Sequence, residues 1–445
     1  MTGVDLADSL VYGHLWTTAE TRELLGDRGR TRAWLRILAE LATAQGELGL
    51  IPEPAAREIA ERAGAELDLE AIGDVTRHSG HSTLGLIRVL QRDLSADARE
   101  WVCHGATVQD VTDTWTGLVM QRMLAIAARD LGAIHDSVRG LAERHRGTPM
   151  LGRTHGQPGL PITFGFKAAT WAAELARHRE RLEQAEPRLA VGQLAGAVGT
   201  MSAWGPEALE LQRRVLTRLG LGAPEISWTA ARDRVAEFAA LLALVTGTLA
   251  RVGNEVYNLQ RAEIAEVSEA PTPGVVGSIT MPQKRNPERS EHLWTLARVV
   301  RSQAALAIEG LVAEHERDGA AWKTEWVLVP RASTAAAVAL ALGVELVGGL
   351  QVDAARMREN LDAQRGYVLA EPVVLALAPS IGRHRAHELV RDVALRGQER
   401  GVPLLDALVA EPAVTEHLPV ERLEELLRAE PELDAQIDRV LRPGS

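Results

Sequence analysis

Three stretches of this chain, residues 225–270, 288–329 and 331–371, contain no proline. They are rich in Ala, Leu, Glu and Arg, which favour helix. Breaker-free runs of that length point to long helices packed on one another. Apolar spacing agrees. Trp34, Leu35, Leu38, Leu41 and Ala42 form one stripe that stops at Gly49 and Ile51-Pro52. A longer stripe runs through Trp115, Leu118, Val119, Met123, Ile126, Leu131, Ile134, Val138 and Leu141. Strand-like alternation is nearly absent, so the expected fold class is all-α. We expect an N-terminal helical region over residues 1–100, a central long-helix bundle over 101–351 and a C-terminal helical region over 352–445. Phe238 through Leu249 is nearly all apolar, and a helix without a polar face needs partners on several sides. Self-association follows as an expectation.

Composition narrows the function. A net charge of -11 and a pI near 5.7 argue against nucleic acid or an anionic membrane as partner. Ala332–Leu350 approaches membrane-spanning length, but its Ala and Gly suit a buried bundle helix. The single cysteine, Cys103, and an N-terminus without a basic, then apolar, leader fit the cytoplasm. Of 49 basic residues only Lys167, Lys284 and Lys323 are lysine. Lysine is a compact point charge where arginine is a wide fork, which marks Lys284.

Lys284 belongs to the most polar interruption of the helical pattern, Gly277-Ser278-Ile279-Thr280-Met281-Pro282-Gln283-Lys284-Arg285-Asn286-Pro287. Gly274, Gly277, Pro282 and Pro287 keep it out of regular helix. A hydroxyl, an ammonium and a carboxamide so close together can hold a carboxylate and set an oxygen base beside the neighbouring carbon. Two other segments break the pattern. Cys103 to Thr114 precedes the Trp115 stripe, and Thr107 there can cap a helix whose N-terminus favours a carboxylate. Gly152 to Pro161 is expected as irregular backbone between two helices, with His155 at its centre as a proton donor near neutral pH. A different reading gathers His78, His81, Cys103 and His104 as metal ligands, since His78-x-x-His81 has usable spacing.

Gly277–Pro287 resembles the signature loop of the fumarase/aspartase superfamily. Gly152–Phe164 and Gly105–Thr114 resemble its other two motifs. Glu314–Asp318, Trp322–Trp326 and Ala370–His387 are most similar to the branch holding 3-carboxy-cis,cis-muconate cycloisomerase and adenylosuccinate lyase. The resemblance implies a homotetramer with a twenty-helix core, active sites built by three subunits, a small dicarboxylate substrate and no cofactor or metal. It implies an anti β-elimination. Ser278 would be the base, activated by backbone amides and a helix dipole. His155 would be the general acid or hold the leaving group. Lys284 and Asn286 would bind the carboxylate that takes up charge, with Thr107, Thr154, Arg317 and His81 as further substrate contacts.

The chain departs from the family pattern at Ile279, Val108 and Cys103, where serine, serine and histidine are usual. Trp228 stands near a glutamine of the nucleotide branch, and its ring would narrow a purine pocket. Many cycloisomerases lack a histidine at the place of His155. The expected reaction is therefore release of fumarate from a substituted succinate with a small leaving group, nitrosuccinate giving nitrous acid being the first candidate. The muconate cycloisomerase and adenylosuccinate lyase reactions are the alternatives.

Overall fold

The computed structural model describes residues 5–81, 83–271, 274, 277–428 and 431–442. Among them the chain is overwhelmingly helical, with four short strands. Five helices of 22 to 37 residues dominate: Val108–Arg144, Phe164–Leu189, Asp233–Leu259, Glu288–Glu309 and Gly319–Gly348.

The two apolar stripes are real faces. Leu35, Leu38, Leu41 and Ala42 are buried on the helix Asp27–Glu47, which ends where Gly49 turns left-handed (φ 69°). Trp115, Val119, Met123, Ile126, Leu131, Ile134, Val138 and Leu141 are all buried along Val108–Arg144. Each fully buried Leu, Val or Met of this kind contributes roughly 1.5–3 kcal/mol.

Proline proves a weaker punctuation than expected. The helix Gly319–Gly348 runs straight through Pro330, and the interruption falls instead at residues 310–318, where His315 is left-handed (φ 54°). Proline costs one intrahelical bond, and apolar packing of Leu328, Val329, Ala332, Ala335 and Ala336, all buried, offsets it. That helix and Asp233–Leu259 are long and apolar enough to cross a membrane, yet 61% and 67% of their apolar windows are buried within the protein. Their hydropathy is that of core helices.

Contacts divide the chain into two compact units. The first holds the residues up to Gly132, Arg177–Arg251 and His292–Gly343. Its N-terminal helices pack closely: a Cβ at Gly46 would lie 2.5 Å from that of Ala56 on the facing helix Glu53–Ala63. The second unit holds Ala133–Ala176, Val252–Glu291 and the residues from Val344. It contains the C-terminal helices around Val373, Leu377, Val390, Leu404, Leu408, Val414 and Leu423, all buried. It also contains both strand pairs, Pro149–Thr154 with Gln157–Thr163 and Val267–Ser268 with Gln351–Val352, each antiparallel.

Candidate active site

The segment expected as irregular backbone around His155 is a β-hairpin. Thr154 pairs with Gln157, leaving His155-Gly156 as a two-residue turn. Both turn residues have positive φ, 53° and 75°, which is the geometry a right-twisted hairpin demands. Glycine adopts it freely, and histidine does so at a cost of roughly 1 kcal/mol. The imidazole thus sits on the exposed tip of a short hairpin, beside exposed Thr154. Arg153, next along the stem, makes a two-pronged ion pair with the fully buried Glu266 carboxylate at 2.7 and 2.9 Å.

The Ser278 loop closes on itself. The Asn286 amide donates to the Gly277 carbonyl at 3.0 Å, joining the loop's two ends. A Cβ at Gly277 would stand 2.4 Å from the Lys284 carbonyl oxygen, so this crossing requires glycine. The Ser278 hydroxyl accepts the Met281 N–H at 3.0 Å, and the Met281 carbonyl accepts the Lys284 N–H at 3.0 Å. A serine whose oxygen already receives an amide proton is better able to carry negative charge. Lys284 is exposed and Ile279 is wholly so. Asn286, expected as a substrate contact, spends one amide donor inside its own loop.

In the first unit, Arg317 places both Nη atoms 3.2 Å from the Thr107 hydroxyl. Its Nε is buried and unpartnered. The neighbouring Asp110 carboxylate accepts the backbone N–H groups of Thr107, Ala195 and Gly196 at 2.9, 2.8 and 3.0 Å. Burial pushes the Asp110 carboxyl up to about 6, although those three donors pull the other way. One turn on, buried Asp113 shares Arg232 with buried Glu325. Arg232 Nη1 lies 2.8 Å from Asp113, and Nε lies 2.7 Å from Glu325. Burial raises the Glu325 carboxyl despite that partner. The Gln109 amide donates to Asp113 and to the Thr229 carbonyl.

His81 is exposed, just past left-handed Gly80 at the end of the helix Leu69–Ser79. The Trp228 ring does not narrow a pocket: it is 2% exposed, its indole N–H bonds the Gly192 carbonyl, and Arg232 lies 4.9 Å over its face. The metal reading gains no support: burial pushes the Cys103 thiol up to about 12, away from the thiolate a metal would require. No cluster of three His, Cys, Asp or Glu side chains able to hold a metal ion exists among the described residues.

Reasoning from sequence missed the supports of these elements: Glu266, Glu269 and Asn360 in the second unit, and Gln109, Asp110, Asp113, Arg232 and Glu325 in the first. One signal was present. Two aspartates three residues apart in the first two turns of a long helix must find donors if they are buried.

Comparison with known proteins sets this arrangement in a family. A family model described as Lyase matches residues 16–302, and one described as Adenylosuccinate lyase C-terminus matches residues 366–440. N-acetyl-S-(2-succino)cysteine lyase of Enterococcus italicus is 39% identical over 93% of this chain and 91% of its own. The 3-carboxy-cis,cis-muconate cycloisomerase of Pseudomonas aeruginosa is 38% identical over 95% of this chain and 93% of its own. Among solved structures, a fumarate lyase from Mesorhizobium sp. BNC1 superposes with a TM-score of 0.89 at 35% identity, covering 96% of this chain and 98% of that one. With ordered motifs, helical fold and full-length relatives in agreement, the chain belongs to the fumarase/aspartase superfamily and is one of its lyases.

Proposed function

We propose that this lyase removes a small leaving group from a 2-substituted succinate by anti β-elimination, releasing fumarate. The observation that carries the reading is one self-closed loop that bears both the Ser278 hydroxyl, already accepting an amide proton, and the exposed Lys284. Ser278 takes the proton from the carbon next to a carboxylate. Lys284 stabilises the charge that then develops on that carboxylate, a contribution of roughly 3 kcal/mol or more. His155 protonates or holds the departing group. Thr107, Thr154, Arg317 and His81 contact the substrate's carboxylates, and Asn286 both closes the loop and contacts the substrate.

The exposed hairpin tip and loop suit a soluble, cytoplasmic homotetramer in which several subunits complete each site. The linear organisation proposed is a helical region to residue 100, the bundle over 101–351 and a C-terminal region from 352. The sulfur-linked 2-succino group named in the Enterococcus relative makes a thiol, expelled from a thioether of succinate, the first leaving group to assay. Nitrosuccinate, expected from the sequence, comes next. An adenylosuccinate reaction regains standing now that Trp228 lies in the core rather than against a pocket. Absorbance of fumarate during incubation with each succinate in turn is the test. Release from one of them supports the reading, and silence with all of them, alongside turnover of a carboxymuconate, replaces it with cycloisomerisation.

A further inference from the structure

One two-residue strand carries buried anchors for both candidate catalytic elements of the second unit. On the N-terminal side of Val267–Ser268, the Glu266 side chain is fully buried and accepts from Arg153 at 2.7 and 2.9 Å and from Asn360 at 2.9 Å. Asn360 also donates to the Ile264 carbonyl at 2.8 Å, and Asp353 N–H donates to the Glu266 carbonyl at 3.0 Å. On the C-terminal side, Glu269 accepts the N–H groups of Arg289 and Ser290 at 3.2 and 2.9 Å and the Ser290 hydroxyl at 2.7 Å. Those residues open the helix that starts directly after Asn286-Pro287. A negative charge there also favours the positive end of the helix. Gln260 completes the frame, accepting the Glu269 N–H at 2.8 Å and donating to the Arg285 carbonyl at 3.5 Å.

Each anchor holds an end of the element that carries the group it serves. Arg153 lies two residues before His155, and the two-residue turn leaves no slack between them. Glu269 fixes the foot of a loop whose ends Asn286 has already joined. Extended backbone separates the anchors by roughly 10 Å, along a strand paired with Gln351–Val352. A carboxylate shut off from water cannot exchange a lost donor for solvent, so its geometry is tightly kept.

We infer that Glu266 and Glu269 are positioning residues for the lyase reaction, Glu266 through Arg153 for His155 and Glu269 through the loop foot for Ser278. This rests on the elimination proposed above. The tests use the full-length chain. Glu266→Gln and Arg153→Lys, the latter keeping the charge but not the fork, are each expected to lower kcat about tenfold to a hundredfold. KM should stay within about threefold, because Thr107, Arg317 and His81, outside the hairpin, keep their hold on the substrate carboxylates. Glu269→Ala should lose as much, and Glu269→Gln, which keeps an acceptor oxygen, should recover most of the rate. Amide exchange should quicken across residues 149–163 in Glu266→Gln and across 277–287 in Glu269→Ala. Arg153→Lys serves if Glu266→Gln does not fold. Wild-type kcat in folded Arg153→Lys and Glu269→Ala, or unchanged exchange in both segments, overturns the inference. Absence of fumarate from the unaltered enzyme sinks the elimination instead, and the exchange measurement still judges the anchors.

Discussion

Asp110 is a carboxylate raised well above its ordinary value by burial, and its sign is opposite to that of a surface ion pair. Unfolded, it titrates near 3.8; folded, near 6. Between those values the native state holds more protons, so this group's contribution to stability declines as pH rises through about 4 to 6 and then levels. The shift corresponds to about 3 kcal/mol. Asp110→Asn has no such titration. The stability of the wild type relative to Asp110→Asn, read from urea midpoints, should fall across that window; a flat difference contradicts the buried ionisation. Arg232 offers a second residue-scale case. Its removal, as in Arg232→Met, strands two buried carboxylates and should cost about 3–5 kcal/mol. A loss under about 1 kcal/mol in thermal or urea unfolding would show that water reaches the pair.

At the scale of elements, the loop carrying Ser278 depends on Gly277 for its crossing, not for flexibility. Gly277→Ala drives a methyl against the Lys284 carbonyl and should lower kcat about tenfold or more, with little change in Tm because the loop is exposed. Equal kcat in the two proteins would show that the crossing opens freely. What could be read in advance differs between elements for physical reasons. The helices announced themselves because apolar residues recur at helical spacing along Val108–Arg144 and Asp27–Glu47. The hairpin did not, since its Gly and Pro residues obscure alternation and its turn uses histidine where Asn-Gly would be the usual sign. Pro330 misled because tertiary packing outweighs one lost backbone bond. Ser278, Lys284 and His155 were legible as chemistry. Glu266 and Asn360 were not, since their partners lie in distant segments that no local spacing reveals.

Across the whole molecule, the exposed apolar side chains Leu244, Trp294, Ile308 and Val312 on or beside the long helices fit burial by further copies of the chain. If several subunits complete each site, two inactive proteins can repair one another. Ser278→Ala and His155→Asn, mixed after reversible dissociation or produced together, should regain an easily measured share of wild-type fumarate release. No recovery in mixed oligomers verified by mass would confine each site to a single subunit.

The most direct measurement is fumarate formation by purified Ser278→Ala beside wild type, with the succinate that wild type consumes fastest. The proposed chemistry predicts a fall in kcat of about 10²–10⁴-fold with helical circular dichroism and oligomeric mass unaltered. Turnover at the wild-type rate would remove Ser278 as the base and with it the proposed elimination.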